Sequence, residues 1–461
     1  MGVGTRGIIR CPDSRLAFCY NPVALGISLA RRILSMQARE PLINDPMPPK
    51  KQPSTSPQRP LLQGITVIEW SEGLSAPLSG KLLAELGAEV IKVEPPGTGE
   101  PGRSTPPFFR DKPGLNNSLF FEYFNAGKEG VTLDVSSSPG RDLFLRLLKT
   151  ADALVENIPV ARKRDLKLAY DDIARANPRI IMVSLSPFGQ TGPYSEMVSD
   201  DLTTFAMTGS AYGNPRVMDK PGRSPLLYPG NTPAFLAGHQ GATAVAMALI
   251  RRQESGLGAY IDIAEAEIQS SLQHASLSRY EHEGIWDRAS STGGTSSPYD
   301  SLPCKDGYVG IYCPQEDHWH RLLKVIGMPE VSEIELFNAG ARRRQNWPEI
   351  WDMISPWFMA HGKEEIYRLC QENDIPSGAV YDIAETLRDE QFLARNAFPK
   401  VLHPTFGAAF PYLRPPYDLA GESWQGHAFA PRLGQHTAQI LAQRLAISKK
   451  ELGSLRKRGI V

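Results

Sequence analysis

Two places in this sequence offer groups that could do chemistry. At one, Ser71, Glu72 and Gly73 interrupt the apolar run Ile65, Val67, Ile68 just before a helical pattern begins. Pro77 suits the first turn of that helix, where its missing N–H costs nothing. Backbone N–H groups at such a turn have no partner inside the helix, and the helix dipole favours an anion there. A nucleotide or diphosphate fits this loop; so does an ordinary turn that binds nothing. The other place is the adjacent pair Asp200 and Asp201. Two carboxylates side by side in a desolvated cleft raise each other's pKa. The plainer reading makes Asp201 the cap of the helix LTTFAMTG, a common post for aspartate.

Such groups need elements to hold them. Residues 64–94, GITVIEWSEGLSAPLSGKLLAELGAEVIKVE, read as strand, loop, helix and strand. Leu82, Leu83 and Leu86 recur at helical spacing, Gly87 suits the C-cap, and Val90, Ile91 and Val93 make the second strand. The unit predicts a parallel sheet with a right-handed crossover. No G-x-G-x-x-G follows the first strand, so hydride transfer of the usual dinucleotide type loses support.

GVTLDV, ALVEN and Arg179 to Leu185 read as further strands, alternating with helices from Pro139 to Thr150 and Tyr170 to Ala176. That alternation predicts an α/β fold. The loops after Val67-Ile68, Val93-Glu94, Glu156-Asn157 and Ser184-Leu185 should gather on one side, where such sheets bind ligands. Residues 235–253 read as a long core helix, and its small residues Ala237, Gly238, Gly241 and Ala242 require close packing against another element. STGGTSSP, residues 291–298, is a Gly/Ser loop that serves equally as lid or linker. A hairpin around Lys305-Asp306-Gly307 opens a second α/β unit, and the tail from His436 is helical.

At 461 residues the chain suffices for two or three domains. Lys plus Arg equals Asp plus Glu, 50 against 50, which leaves no excess charge for nucleic acid or a membrane surface. No apolar run is read as reaching the roughly 18 residues of a membrane helix. Five cysteines without C-x-x-C spacing argue against a disulfide framework or a metal site and for a reducing, cytoplasmic location. Residues 46–60, PMPPKKQPSTSPQRP, should stay unfolded. Ahead of them Arg6, Arg10, Arg15, Arg31 and Arg32 stand against one acid, Asp13. Residues 1–35 thus read as a mitochondrial presequence, or as sequence upstream of a start at Met36 or Met47.

From residue 61 to 461 a series of blocks occurs in order: LLQGITVIEW…LAELGAEVIKVEPPGTGE, FNAGKEGVTLDV, ADALVEN, NPRIIMVSLSPFGQTGPY, SGLGAYIDIAEAE, KDGYVGIY, DIPSGAVYDIAETLRDEQFLARNAF and PRLGQHT. Together they resemble the family III CoA-transferases, the CaiB/BaiF family, to which the α-methylacyl-CoA racemases are related. Beyond the disordered or targeting extension (1–60) that composition marks, the resemblance implies a Rossmann-like large domain (61–285), a smaller α/β domain (295–415) and a C-terminal segment (416–461) returning to the large domain, in an interlaced homodimer. It implies no permanently bound cofactor; a coenzyme A thioester is the substrate, and an acyl-CoA and a carboxylic acid are the partners. In that family an aspartate attacks the acyl-CoA carbonyl and later carries CoA as a thioester, a task suited to a carboxylate.

Carried over residue by residue, the resemblance assigns CoA contacts to Gly73, Leu74 and Ser75 after the first strand. Leu133, Asp134 and Ser136 fall near the adenine and ribose, and Asn157 and Ile158 after the next strand. In the run Arg162-Lys163-Arg164, Arg162 and Arg164 suit the 3′-phosphate or a solvated helix start, and Gly293 and Gly294 align with the family's glycine loop. The family's aspartate, set in a G-D-x-x-x-G segment, falls here at Ala234, which can do no covalent chemistry. Asp201 or Asp200 taking over as nucleophile keeps the chain a CoA-transferase. The alternatives are an acyl-CoA isomerase, racemase or lyase on the same fold, or a catalytically silent CoA-binding paralogue.

Overall fold

A computed structural model describes residues 60–212, 230–284, 299–313, 315–418 and 429–461. Its main sheet has six parallel strands: β1 (Thr66–Trp70), β2 (Glu89–Glu94), β3 (Glu129–Thr132), β4 (Ala153–Glu156), β5 (Ile181–Ser186) and β6 (Ala259–Ala264). Their order is β3-β2-β1-β4-β5-β6. The order reverses between β1 and β4, and sheets of this kind bind ligands in the crevice outside that point. Successive residues of a strand face opposite sides, so Ile68 joins Ile91 and Phe144 in one core while Val67 joins Val90 and Val245 in the other. Both faces are covered, which is why the central strands read as nearly unbroken apolar runs.

Six helices position the site: α1 (Ser75–Glu85), α2 (Leu119–Asn125), α3 (Ser138–Leu148), α4 (Asp201–Met207), α5 (Thr232–Ser255) and α6 (Glu265–Ser271). The small residues of α5 do pack closely, as expected. Ser79 Oγ on α1 donates to the Gly238 carbonyl at 2.8 Å, and a Cβ added at Gly241 would stand 2.3 Å from Ser79 Oγ. Gly241→Val should therefore push α1 from α5 and lower stability by about 2 kcal/mol, seen as a reduced Tm. One expectation needs correcting. By length and composition α5 is apolar enough to cross a membrane. Its Ala237, Ala242, Val245 and Leu249 are buried among Val67, Leu83 and Ile181, which accounts for that character.

Beyond the sheet, β7 (Tyr299–Cys304), β8 (Gly307–Tyr312) and β9 (Ser377–Ala379) form an antiparallel three-stranded sheet, β7 and β8 joined as the expected hairpin. With α7 (Glu316–Ile326), α8 (Trp347–Ala360) and α9 (Lys363–Glu372) it builds a core of its own, including Val309, Trp319, Ile350, Phe358 and Ile366. The last helices, α10 (Thr437–Leu445) and α11 (Lys449–Lys457), return Ile440, Leu441, Leu452 and Leu455 to the core around Phe144 and Leu147 of α3. Thr437 Oγ1 accepts from the Thr132 amide at 2.9 Å, tying this tail to β3.

Candidate functional site

The carboxyl ends of β1, β4, β5 and β6 open into a cleft of about 740 Å³. Its described walls include Glu72 to Ser75 after β1, Pro101 and Gly102 after β2, Asn157 to Ala161 after β4 and Leu185 to Pro187 at β5. Residues 195–201, Asn231 and Ala234 at the start of α5, and Glu265 at the start of α6 complete them. The expected gathering of strand-end loops is what builds this cleft.

Asp200, not Asp201, is the cap of α4. Its side chain accepts from the Thr203 amide at 2.8 Å while Thr203 Oγ1 accepts from the Asp200 amide at 2.9 Å, a reciprocal capping box. Asp200 is exposed, and the two Thr203 donors hold its carboxyl below the usual range. Asp201 is the first helical residue and is turned inward. It is half-buried, and its Oδ1 accepts from the Ala234 amide at 3.0 Å. A carboxylate thus touches the position where the resemblance expects one, but it arrives from α4. Burial, reinforced by Asp200's charge, raises the Asp201 pKa against that hydrogen bond.

A second carboxyl that the sequence reading passed over faces the same space. Glu265 is 7% exposed. Burial pushes its pKa up to about 7, a hydrogen bond with Ser75 opposing and the charge of Asp201 adding to the rise. The available signal was an acid placed immediately after the strand YIDIA, at the carboxyl end where ligands bind.

The remaining candidates separate. Asn157 staples the two sides of the reversal point: its Oδ1 accepts from the Glu72 amide at 2.8 Å and its Nδ2 donates to the Glu72 carbonyl at 2.6 Å. Gly73, at φ +72°, donates its amide to Glu100 Oε2 at 3.0 Å, and the Ile158 amide donates to Glu156 Oε2 at 2.7 Å. The amides of Glu72, Gly73 and Ile158 are therefore engaged within the protein and are not open to a diphosphate. Leu74 is buried with Leu78, Phe124 and Ala234 in a small cluster under the cleft, and Ser75 is buried beside Glu265. Leu133 lies in the core, and Asp134 Oδ1 accepts from the Ser136 amide at 3.1 Å. These three follow β3, two strands from the reversal point, and are not among the cleft's lining residues. Gly293 and Gly294 lie outside the described residues.

The basic run splits by exposure. Arg162 and Arg164 are exposed and pair with the cleft residues Glu72 (3.3 Å) and Glu196 (2.6 Å). Lys163 turns inward, paired with the buried Glu156, and donates to Gln190 Oε1 at 2.6 Å. Glu156 is one of three glutamates buried at or next to the ends of adjacent strands. Glu69 meets Lys128 at 2.7 Å and Lys92 at 2.9 Å; Glu94 takes a fork from Arg103 at 2.6 and 2.8 Å. Lys92 and Lys128 together hold Glu69 below the usual carboxylate range although burial pulls the other way. These pairs form the floor on which the cleft loops rest.

Residues 62–437 match the family model described as CoA-transferase family III. The chain belongs to CoA-transferase family III. Its activity is the movement of CoA between an acyl-CoA and a carboxylic acid. The succinate–glutarate CoA-transferase of Agrobacterium fabrum is 29% identical to it over 84% of this chain and 96% of its own length. The succinyl-CoA–D-citramalate CoA-transferase of Chloroflexus aurantiacus is 30% identical over 88% of this chain and 100% of its own. The crystal structure of a CaiB/BaiF family protein from Brucella suis superposes with a TM-score of 0.73 at 27% identity, covering 84% of this chain and 100% of that one. Among the acids that line the cleft, Asp201 and Glu265 are the two turned into the protein without a basic partner among the described residues.

Proposed function

We propose that this family III transferase takes CoA from succinyl-CoA and passes it to a second dicarboxylic or hydroxy acid, with Asp201 as the nucleophile. The observation that carries the assignment is the inward turn of Asp201 onto the Ala234 amide, inside the cleft and free of the capping duty that Asp200 performs. Two relatives bear names that include succinate or succinyl-CoA, which supports the donor.

The Asp201 carboxylate adds to the thioester carbonyl, and collapse expels CoA as its thiolate, leaving an acyl-aspartyl anhydride. The thiolate returns to the aspartyl carbonyl, releasing the donor acid and forming an aspartyl-CoA thioester. An acceptor carboxylate then runs both steps in reverse. Throughout, the Ala234 amide orients the side chain and favours its charged form. CoA's pantetheine occupies the cleft, its phosphates lying toward Arg162 and Arg164 at the margin. Two copies of the chain associate as the homodimer that the family resemblance implies.

The test is to incubate the purified protein with succinyl-CoA and, separately, glutarate, malate and citramalate, and to search for new CoA thioesters by mass spectrometry. A new thioester with one acceptor is the expected result. None with any acceptor, alongside calorimetric binding of CoA, overturns the reading and leaves a silent paralogue.

A further inference from the structure

Five acids line the described part of the cleft, Glu72, Glu196, Asp200, Asp201 and Glu265, and no lysine or arginine does. Three of them are accounted for. Arg162 and Arg164 pair with Glu72 and Glu196, and Asp200 caps α4 in solvent. Asp201 and Glu265 remain, both turned into the protein. The charged groups on the elements around Glu265 are Asp262 on β6, which accepts from the Gln190 amide at 2.9 Å, Glu267 on α6, Glu72 on the β1 loop and Asp201 on α4. His239, one turn beyond Ala234 on α5, is exposed and bonded to the Phe235 carbonyl at 2.9 Å. Asp201 is the charged group whose field acts on Glu265, and Ser75 is its hydrogen-bond partner.

Two carboxyls that line one cleft, one of them almost wholly out of water and in the field of the other, disfavour ionising together. The proton belongs on the more buried of the two. Asp201 retains a backbone amide that stabilises its charge; Glu265 has a single hydroxyl to set against deeper burial.

We infer that Asp201 and Glu265 share one proton in the resting enzyme, Asp201 serving as the anion that attacks and Glu265 as a neutral acid that donates its O–H to the carbonyl oxygen under attack. This rests on the reading of Asp201 as nucleophile. When the Asp201 oxygen bonds to the thioester carbon, the carbonyl electron pair moves onto oxygen, where the Glu265 hydroxyl meets it. Collapse restores the carbonyl, breaks the C–S bond and sends that electron pair out on sulfur. The proton stays on Glu265 throughout, so the same group serves each of the later carbonyl attacks without being reset. A donor aimed at a developing oxyanion in a dry site contributes about 10²- to 10³-fold to rate.

The experiment compares wild type, E265Q and E265A in the full chain by following 13C-succinate into succinyl-CoA between pH 6 and 9. Glutamine keeps a donor and cannot ionise. E265Q should stay within about tenfold of wild type at pH 6.5 and hold its kcat as pH rises, while wild type falls by about tenfold per unit above the pH at which Glu265 ionises. E265A should lose about 10²-fold in kcat at all pH values, with KM changed far less. E265Q as inactive as E265A, or sharing wild type's alkaline fall, overturns the inference and leaves the transferase reading intact. No exchange by wild type at any pH overturns both. A second readout needs no turnover: the Tm of E265Q relative to wild type should rise between pH 5 and 8, because folded wild type holds a proton that its unfolded chain releases. A constant difference overturns the shared proton.

Discussion

Asp201→Ala should abolish thioester exchange, lowering kcat by about 10³-fold or more, while the protein still folds and binds CoA. The argument rests on a division of labour between neighbours. Asp200 closes the capping box of α4, so its removal should be felt in stability, at about 1 kcal/mol, and only slightly in rate. Among the described residues Asp201 makes one hydrogen bond, to the Ala234 amide, and it lines the cleft a substrate would enter. Losing it removes the group proposed to carry CoA covalently. Incubating each protein with succinyl-CoA alone and digesting it makes the contrast visible. Wild type and Asp200→Ala should yield the peptide containing Asp201 heavier by the mass of CoA less one water, and Asp201→Ala should yield none. A CoA adduct on Asp201→Ala, or undiminished exchange, would place the nucleophile elsewhere.

Much of the fold was written locally. The strand-loop-helix-strand unit over residues 64–94, the helix from Tyr170 to Ala176 and the hairpin at Lys305 to Gly307 depend on apolar spacing and turn residues a few positions apart, and all appear in the structure. The close packing of α5 was legible because glycine and alanine recur where a partner must approach. Strand order was not legible, since β1 pairs with β4 only after some 85 residues of intervening chain, and no local pattern records that choice.

The site divides the same way. That Asp200 or Asp201 caps a helix was visible; which of them does so was not. Both have a threonine three positions on, Thr203 and Thr204. Thr204 is buried and faces inward, so only Thr203 can return the bond that makes Asp200 the cap. Glu265 escaped notice because its neighbours Ala264, Ala266 and Glu267 look like the first turn of a surface helix. Its hydrogen-bond partner Ser75 and its charged neighbour Asp201 are contributed by distant stretches of chain. The buried ion pairs were hidden for a related reason. A charge inside an apolar strand, as in VIEW or VIKVE, shows its meaning only once its partner arrives from another element. Glu69, Lys92 and Glu94 are such charges, and all three are buried in ion pairs.

Arg103→Met should destabilise the fold by about 3–5 kcal/mol, the largest stability loss expected of a single substitution away from the hydrophobic core. Arg103 is 1% exposed and meets the equally buried Glu94 through two nitrogens, at 2.6 and 2.8 Å. Its other hydrogen bonds run to the Leu115 carbonyl at 2.9 Å, Asn116 Oδ1 at 3.1 Å and the Pro431 carbonyl at 3.0 Å, and its guanidinium lies 3.8 Å from the centre of the Phe121 ring. One side chain thus joins the end of β2 to two distant segments. Methionine fills similar volume and leaves the Glu94 carboxylate buried without its partner, and an unpaired buried charge costs more than the pair contributes. That asymmetry fixes the test. Glu94→Leu combined with Arg103→Met should recover a large part of the loss, because no charge then remains to be buried; Arg103→Lys should recover less, lacking the fork. Denaturant unfolding of wild type, Glu94→Leu, Arg103→Met and the double variant gives the coupling directly. Additive losses in the double variant would show that Arg103 acts through its carbonyl contacts and ring stacking, with the Glu94 charge indifferent to its removal.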